Sequence, residues 1–74
     1  MEAYNIKYGT KVVVKNDDVV VPPGALPVYK GDEIVIGRLD GMYCNGKNSD
    51  GEIIYIAAWT DVEICTTETL KSAQ

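Results

Sequence analysis

Residues 29–63, YKGDEIVIGRLDGMYCNGKNSDGEIIYIAAWTDVE, decide the fold of this chain. Gly31-Asp32-Glu33-Ile34-Val35-Ile36-Gly37-Arg38-Leu39 opens the stretch as a strand, because β-branched side chains are stiff and favour extended backbone. Alternation puts Ile34 and Ile36 on one face, Glu33 and Val35 on the other. Gly37 interrupts the run and predicts a bulge or sharp bend. Asp40-Gly41 is a turn, after which Met42 and Cys44 face one way, Tyr43 and Asn45 the other. Asn45-Gly46 and Asp50-Gly51 both carry hairpin chemistry; a tip at Asn48-Ser49-Asp50-Gly51 leaves the longer strand before it. Residues 52–57 then form a strand with Ile54 and Ile56 on one face, Ile53 and Tyr55 on the other. Ala58-Trp59-Thr60 is too short for an α-helix and suits a 3₁₀ turn. Residues 61–65 alternate as a half-buried closing strand, with Val62 and Ile64 inward. The expected interior is therefore Ile34, Ile36, Met42, Cys44, Ile54, Ile56, Val62 and Ile64.

Working outward, Gly9-Thr10-Lys11-Val12-Val13-Val14 matches Gly31-Asp32-Glu33-Ile34-Val35-Ile36 without a gap. Both are one physical phrase, a glycine that permits a turn, two polar residues and a β-branched run, so residues 9–15 are the first strand. Val19-Val20-Val21 pairs briefly at most, because Pro22-Pro23 has no amide donors to offer a ladder. The loop at residues 22–27 carries Leu26 with Val28 beyond it, and is expected to fold back over one end of the core. A polyproline-II ligand is the other use of such a segment. Tyr4, Ile6 and Tyr8 alternate as a strand or extended arm would; a partly ordered terminus is the competing reading. Residues 66–74 read as a tail.

Seventy-four residues make one domain, with residues 9–65 as its folded body. A core this small is marginal unless a disulfide, metal, ligand or second subunit helps. There is no histidine, and Cys44 and Cys65 are the two cysteines, which removes most structural zinc sites. A Cys44–Cys65 bridge stays open, but free cysteines acting as small buried hydrophobes are the preferred reading. The first residues show neither a basic start nor an apolar run, no stretch spans a bilayer, and no Asn-x-Ser/Thr site occurs. The expectation is a cytoplasmic, reducing location.

The net charge of −4 works against nucleic-acid backbones, while a nucleotide at a local site stays open. Without histidine the usual general base is missing, and Cys44 as a nucleophile would have only Lys47 nearby to activate it. The chain is expected not to be an enzyme and to need no cofactor. Asp40, Asn45, Asn48, Asp50 and Glu52 offer hard oxygen ligands, but their spacing does not match the twelve-residue calcium loop, and these are ordinary hairpin residues. The glycines are scattered, and none forms a phosphate loop.

Five short strands, a long loop after the first and a 3₁₀ turn before the last resemble an SH3-like barrel, and imply an all-β fold of that plan. Residues 52–65 are similar to the end of such barrels, and Gly31-Asp32-Glu33-Ile34-Val35-Ile36 resembles the opening of bacterial SH3-like modules, including the translation-factor type. The aromatic pair and tryptophan doublet of peptide-binding SH3 domains are absent, so polyproline recognition is not implied. In size, and in the closing phrase Ala57-Ala58-Trp59-Thr60-Asp61-Val62-Glu63, the chain also resembles small accessory proteins of tailed phages. That likeness implies an inhibitor or counter-defence role in a host cytoplasm, exerted by binding.

The aromatic surplus is the strongest functional feature. Tyr29, Tyr43, Tyr55 and Trp59 exceed what so small an interior can bury, and Tyr43 and Tyr55 are predicted to face outward on neighbouring strands. Aromatics exposed together mark a contact surface, for a protein partner or for a second copy in a homo-oligomer, and an acidic rim would steer a basic partner toward it. The alternative is a small ligand such as a nucleotide, stacked on tyrosine with Arg38 or Lys47 on its phosphate.

Overall fold

Two runs that read alike in sequence lie side by side. Strand β1, Lys11–Val14, pairs antiparallel with β2, Glu33–Asp40, so that Val12 faces Ile34. The computed structural model describes residues 1–65. Three further strands follow: β3 (Tyr43–Asn48), β4 (Ile53–Ala57) and β5 (Val62–Ile64). All five join one antiparallel sheet in the order β4-β3-β2-β1-β5.

Period-two burial fixes the inner face. Val12, Val14, Ile34, Ile36, Cys44, Ile54, Ile56 and Val62 are buried together, with Ala3 and Val28 completing the cluster. Each large aliphatic withdrawn from water this way contributes roughly 1.5–3 kcal/mol. The loop between β1 and β2 covers the core as expected, but through Val19, Val21 and Val28; Leu26 stays exposed.

The sheet does not close into a barrel. β4 and β5 remain its edges, and other segments pair with parts of them. Residues 1–3 run antiparallel to residues 60–62, with Ala3 N–H donating to Thr60 O at 2.8 Å and Val62 N–H to Met1 O at 2.8 Å. At the far edge, Ala57 N–H donates to Val20 O at 2.9 Å. The N-terminal segment is thus not a strand alternating at Tyr4, Ile6 and Tyr8; it forms a short 3₁₀ helix, Ala3–Asn5, that inserts Ala3 into the core.

Residues 57–60 form a single turn closed by an i→i+3 bond, as expected, without extending into a 3₁₀ helix. Thr60 N–H and Thr60 Oγ1 both donate to Ala57 O, at 2.9 and 2.7 Å. A second bond of that type would need Asp61 N–H on Ala58 O. That amide instead donates to the Asn16 side chain, and that carbonyl accepts from Tyr4.

Two expected core residues lie outside. Met42 is 60% exposed because the β2–β3 hairpin loop is Gly41-Met42, between the paired Asp40 and Tyr43. Gly41, with φ 64°, supplies the positive φ that a type II′ hairpin needs at its first loop position. Ile64 shares the inner face with Val62 but ends an edge strand with only β1 beside it, and is 41% exposed. The hairpin tip between β3 and β4 lies where expected: Asn48 Oδ1 accepts from the amides of Asp50 and Glu52 at 3.0 and 2.9 Å.

Gly46 lies in the middle of β3, not in a turn. A Cβ there would stand 2.4 Å from Val35 O, a backbone atom that cannot swing aside. Gly46→Ala is expected to lower stability by about 1–3 kcal/mol, as overpacking does, measured by urea denaturation. Cys44 and Cys65 are both free thiols. Burial leaves Cys44 only 2% exposed and pushes its thiol pKa up. Mass spectrometry after native alkylation should show Cys65 modified first and Cys44 only under denaturant.

Candidate binding surface

The opposite face of the sheet carries the exposed apolar side chains. Register aligns Lys11, Val35, Lys47 and Ile53 in one row across β1, β2, β3 and β4. In the next row Asn45 faces Tyr55, and beyond it Tyr43 faces Ala57. Tyr43 and Tyr55 are therefore diagonal neighbours on one face, within reach of each other's rings. Ile53 is 53% exposed and Tyr55 36%, while Tyr43 is half-buried.

A bulge shapes the upper part of this face. Pairing shifts by one residue between Ile36 and Leu39, so Gly37 and Arg38 together oppose Asn45. The extra residue does not leave its amide unpaired: Arg38 N–H donates to Asn45 Oδ1 at 3.0 Å. Gly37 is required there, since a Cβ would fall 2.0 Å from that same oxygen and 2.7 Å from Asn45 O. The bulge also sends Arg38 over Tyr8, with the guanidinium carbon 5.9 Å from the ring centroid, a cation–π distance. Tyr8 is 72% exposed and forms one wall of a shallow depression of about 340 Å³, with Val35, Gly37, Asn45, Lys47 and Ile53 around it.

Of the residues singled out in the sequence, the sheet gathers Tyr43, Tyr55 and Lys47 on one surface and brings Arg38 to its margin through Tyr8. Trp59 is exposed in the turn after β4, at the Tyr43 end. Tyr29 stands apart: its amide donates to Asp32 Oδ2 at 2.9 Å, ahead of the first residue of β2, whereas Tyr43 faces Asp40, the last. Val35, Ile53 and Tyr8 belong to the surface without having been singled out. The first two were legible, since each alternates with core isoleucines; Tyr8 depends on the bulge.

The charges follow the same division. Among the described residues neither Lys47 nor Arg38 has an ion-pair partner, whereas Lys11 pairs with Glu33 at 3.1 Å. Asp40 and Asp50 lie at opposite ends of the β2–β3–β4 sheet, and Glu33 shares the outer face with Val35, where it pairs with Lys11. The acids therefore stand at the margins of the face, with Lys47 and Arg38 among its apolar side chains. A larger hollow of about 500 Å³ beside β5 contains none of the aromatics. Its acids are paired, Glu63 with Lys15 at 3.8 Å and Asp61 with the Met1 ammonium at 2.6 Å, which holds that amine above its ordinary pKa.

No group of three or more histidine, cysteine, aspartate or glutamate side chains converges as a metal site among the described residues. The oxygens of the hairpin are already engaged, Asn48 by the amides it caps and Asn45 by Arg38. No protein-family model, curated protein or solved structure matches the chain.

Proposed function

We propose that this chain is a non-catalytic binding module that engages a protein partner through the outer face of β2, β3 and β4. The observation that carries this reading is the uncovered row of Val35, Lys47 and Ile53 next to Tyr55. Contiguous exposed apolar side chains of this kind mark contact sites, and aromatic anchors supply most of the energy of such contacts. Lys47 and Arg38 suit a counter-surface with an acidic group. In the reading as an SH3-like phage accessory protein, that partner belongs to the host, and binding blocks it.

The second reading, a planar anionic ligand such as a nucleotide, is favoured by the depression between Tyr8, Lys47 and Ile53, with Arg38 over Tyr8. A tyrosine wall stacks on a flat ring, and the two cations meet a phosphate. The chain's charge of −4 disfavours a nucleic acid on the same surface.

Affinity purification from the native host tests the first reading. Tyr43→Ala/Tyr55→Ala should lose the captured partner, since truncating a central aromatic anchor costs about 2 kcal/mol or more, while Tyr29→Ala retains it. Equal capture by both variants would remove the outer face from consideration. For the second reading, nucleotide at about a hundred times its dissociation constant should stabilise the fold by about 2.7 kcal/mol. Lys47→Ala should abolish the rise in melting temperature; a flat response across nucleotides rejects this ligand class.

A further inference from the structure

We propose that β4 pairs with β4 of a second copy of this chain, through backbone groups of Ile53 and Tyr55 that the fold leaves open. In antiparallel pairs, hydrogen-bonded and non-bonded positions alternate. Asn48 N–H donates to Glu52 O, and Ala58 N–H to Met42 O. The same parity carries Ile54 and Ile56 into the β3 ladder and turns the N–H and C=O of Ile53, Tyr55 and Ala57 away from it. Ala57 is already satisfied on that side, its N–H on Val20 O and its C=O on Thr60. Among the described residues, Ile53 and Tyr55 are the two of β4 left with open backbone groups.

The two ends of the sheet are treated differently. The β5 side is overlaid by residues 1–3 and carries Asp61 and Glu63. The open part of β4 carries no proline, no lysine and no charge, the devices that usually keep an edge from pairing.

The occupant follows from the length of the gap. Val20 stands on the edge at Ala57, so a long extended peptide would meet it. A second β4 does not. With Ile54 facing its own copy across a two-fold axis, Ile53 faces the partner's Tyr55, and each of the two such pairs exchanges two bonds. Opposite Ala57 falls the partner's Gly51, a turn residue without a side chain, where the chain leaves toward β3. A register two residues either way brings the occupied Ala57 or the hairpin turn into the pairing. On the outer face, Ile53 and the partner's Tyr55 become lateral neighbours, and the two outer faces join into one continuous surface. The pairing is short, so the dimer is concentration-dependent. It does not rest on the identity of any other partner.

The test is sedimentation equilibrium of the full chain from micromolar to millimolar concentration, with amide hydrogen exchange at both ends of that range. The expected result is a rise to twice the chain mass, with the Ile53 and Tyr55 amides protected only in the dimer. Ile53→Pro removes an N–H that faces away from β3, at a position where proline is tolerated. It should weaken dimerisation by roughly tenfold or more, losing two of the four bonds, while Ile53→Ala, which keeps the N–H, retains pairing. If the proline variant does not fold, the exchange measurement on the unaltered chain decides alone. A monomer at millimolar concentration, a dimer with both amides unprotected, or a folded Ile53→Pro chain that dimerises normally would each overturn the proposal.

Discussion

A single sheet of five short strands has to bury one of its faces with only a long loop and an N-terminal turn laid over it. That constraint governs the rest of the molecule. The inner stripe from Val12 through Ile34, Ile36 and Cys44 to Ile54 and Ile56 is dry only if the sheet curls strongly about it. Strand curvature of this kind is made by bulges and by positions without side chains. Gly37 and Gly46 occupy neighbouring strands beside the bulge in β2, and neither has room for a methyl group. The core is completed by pieces borrowed from outside the strands: Ala3 from the N-terminal turn, and Val19, Val21 and Val28 from the long loop.

What curls the inner face splays the outer one. The bulge that bends β2 lifts Arg38 toward Tyr8 and leaves a depression bordered by Lys47 and Ile53. The same backbone irregularity therefore serves packing on one side and shapes a concave, partly cationic contact surface on the other. A chain of net charge −4 thus presents cations where its apolar side chains are exposed and keeps Asp40 and Asp50 at the ends of the sheet. Charge distributed in this way selects among partners more than it adds affinity.

Much of the inner face was legible because period-two burial needs no knowledge of distant residues: Ile34 with Ile36, and Ile54 with Ile56, announce their side by spacing alone. Met42 was not, because its place depends on the extra residue at Arg38, which moves the loop to Gly41-Met42. Ala3 could not be found either. A lone alanine between Glu2 and Tyr4 has no pattern, and its burial comes from hydrogen bonds to residues nearly sixty positions away. Gly46 carried a misleading signal, since Asn-Gly is strong hairpin chemistry and here the glycine serves close approach within a strand. On the outer face, Val35, Ile53 and Tyr55 follow from the same alternation that marks the core, whereas Tyr8 joins them only through tertiary geometry.

The pairing of residues 1–3 with residues 60–62 has a consequence for how the molecule comes into being. Residues 1–3 are made before residues 60–62 and have no partner until those leave the ribosome. Until then Ala3 and Val12 have no β5 segment to close over them, and the growing chain carries an unfinished apolar face. Topologies dominated by such distant contacts fold slowly, on millisecond to second scales. Closing this pairing joins the two extremes of the described body, a contact of the longest sequence separation in the fold.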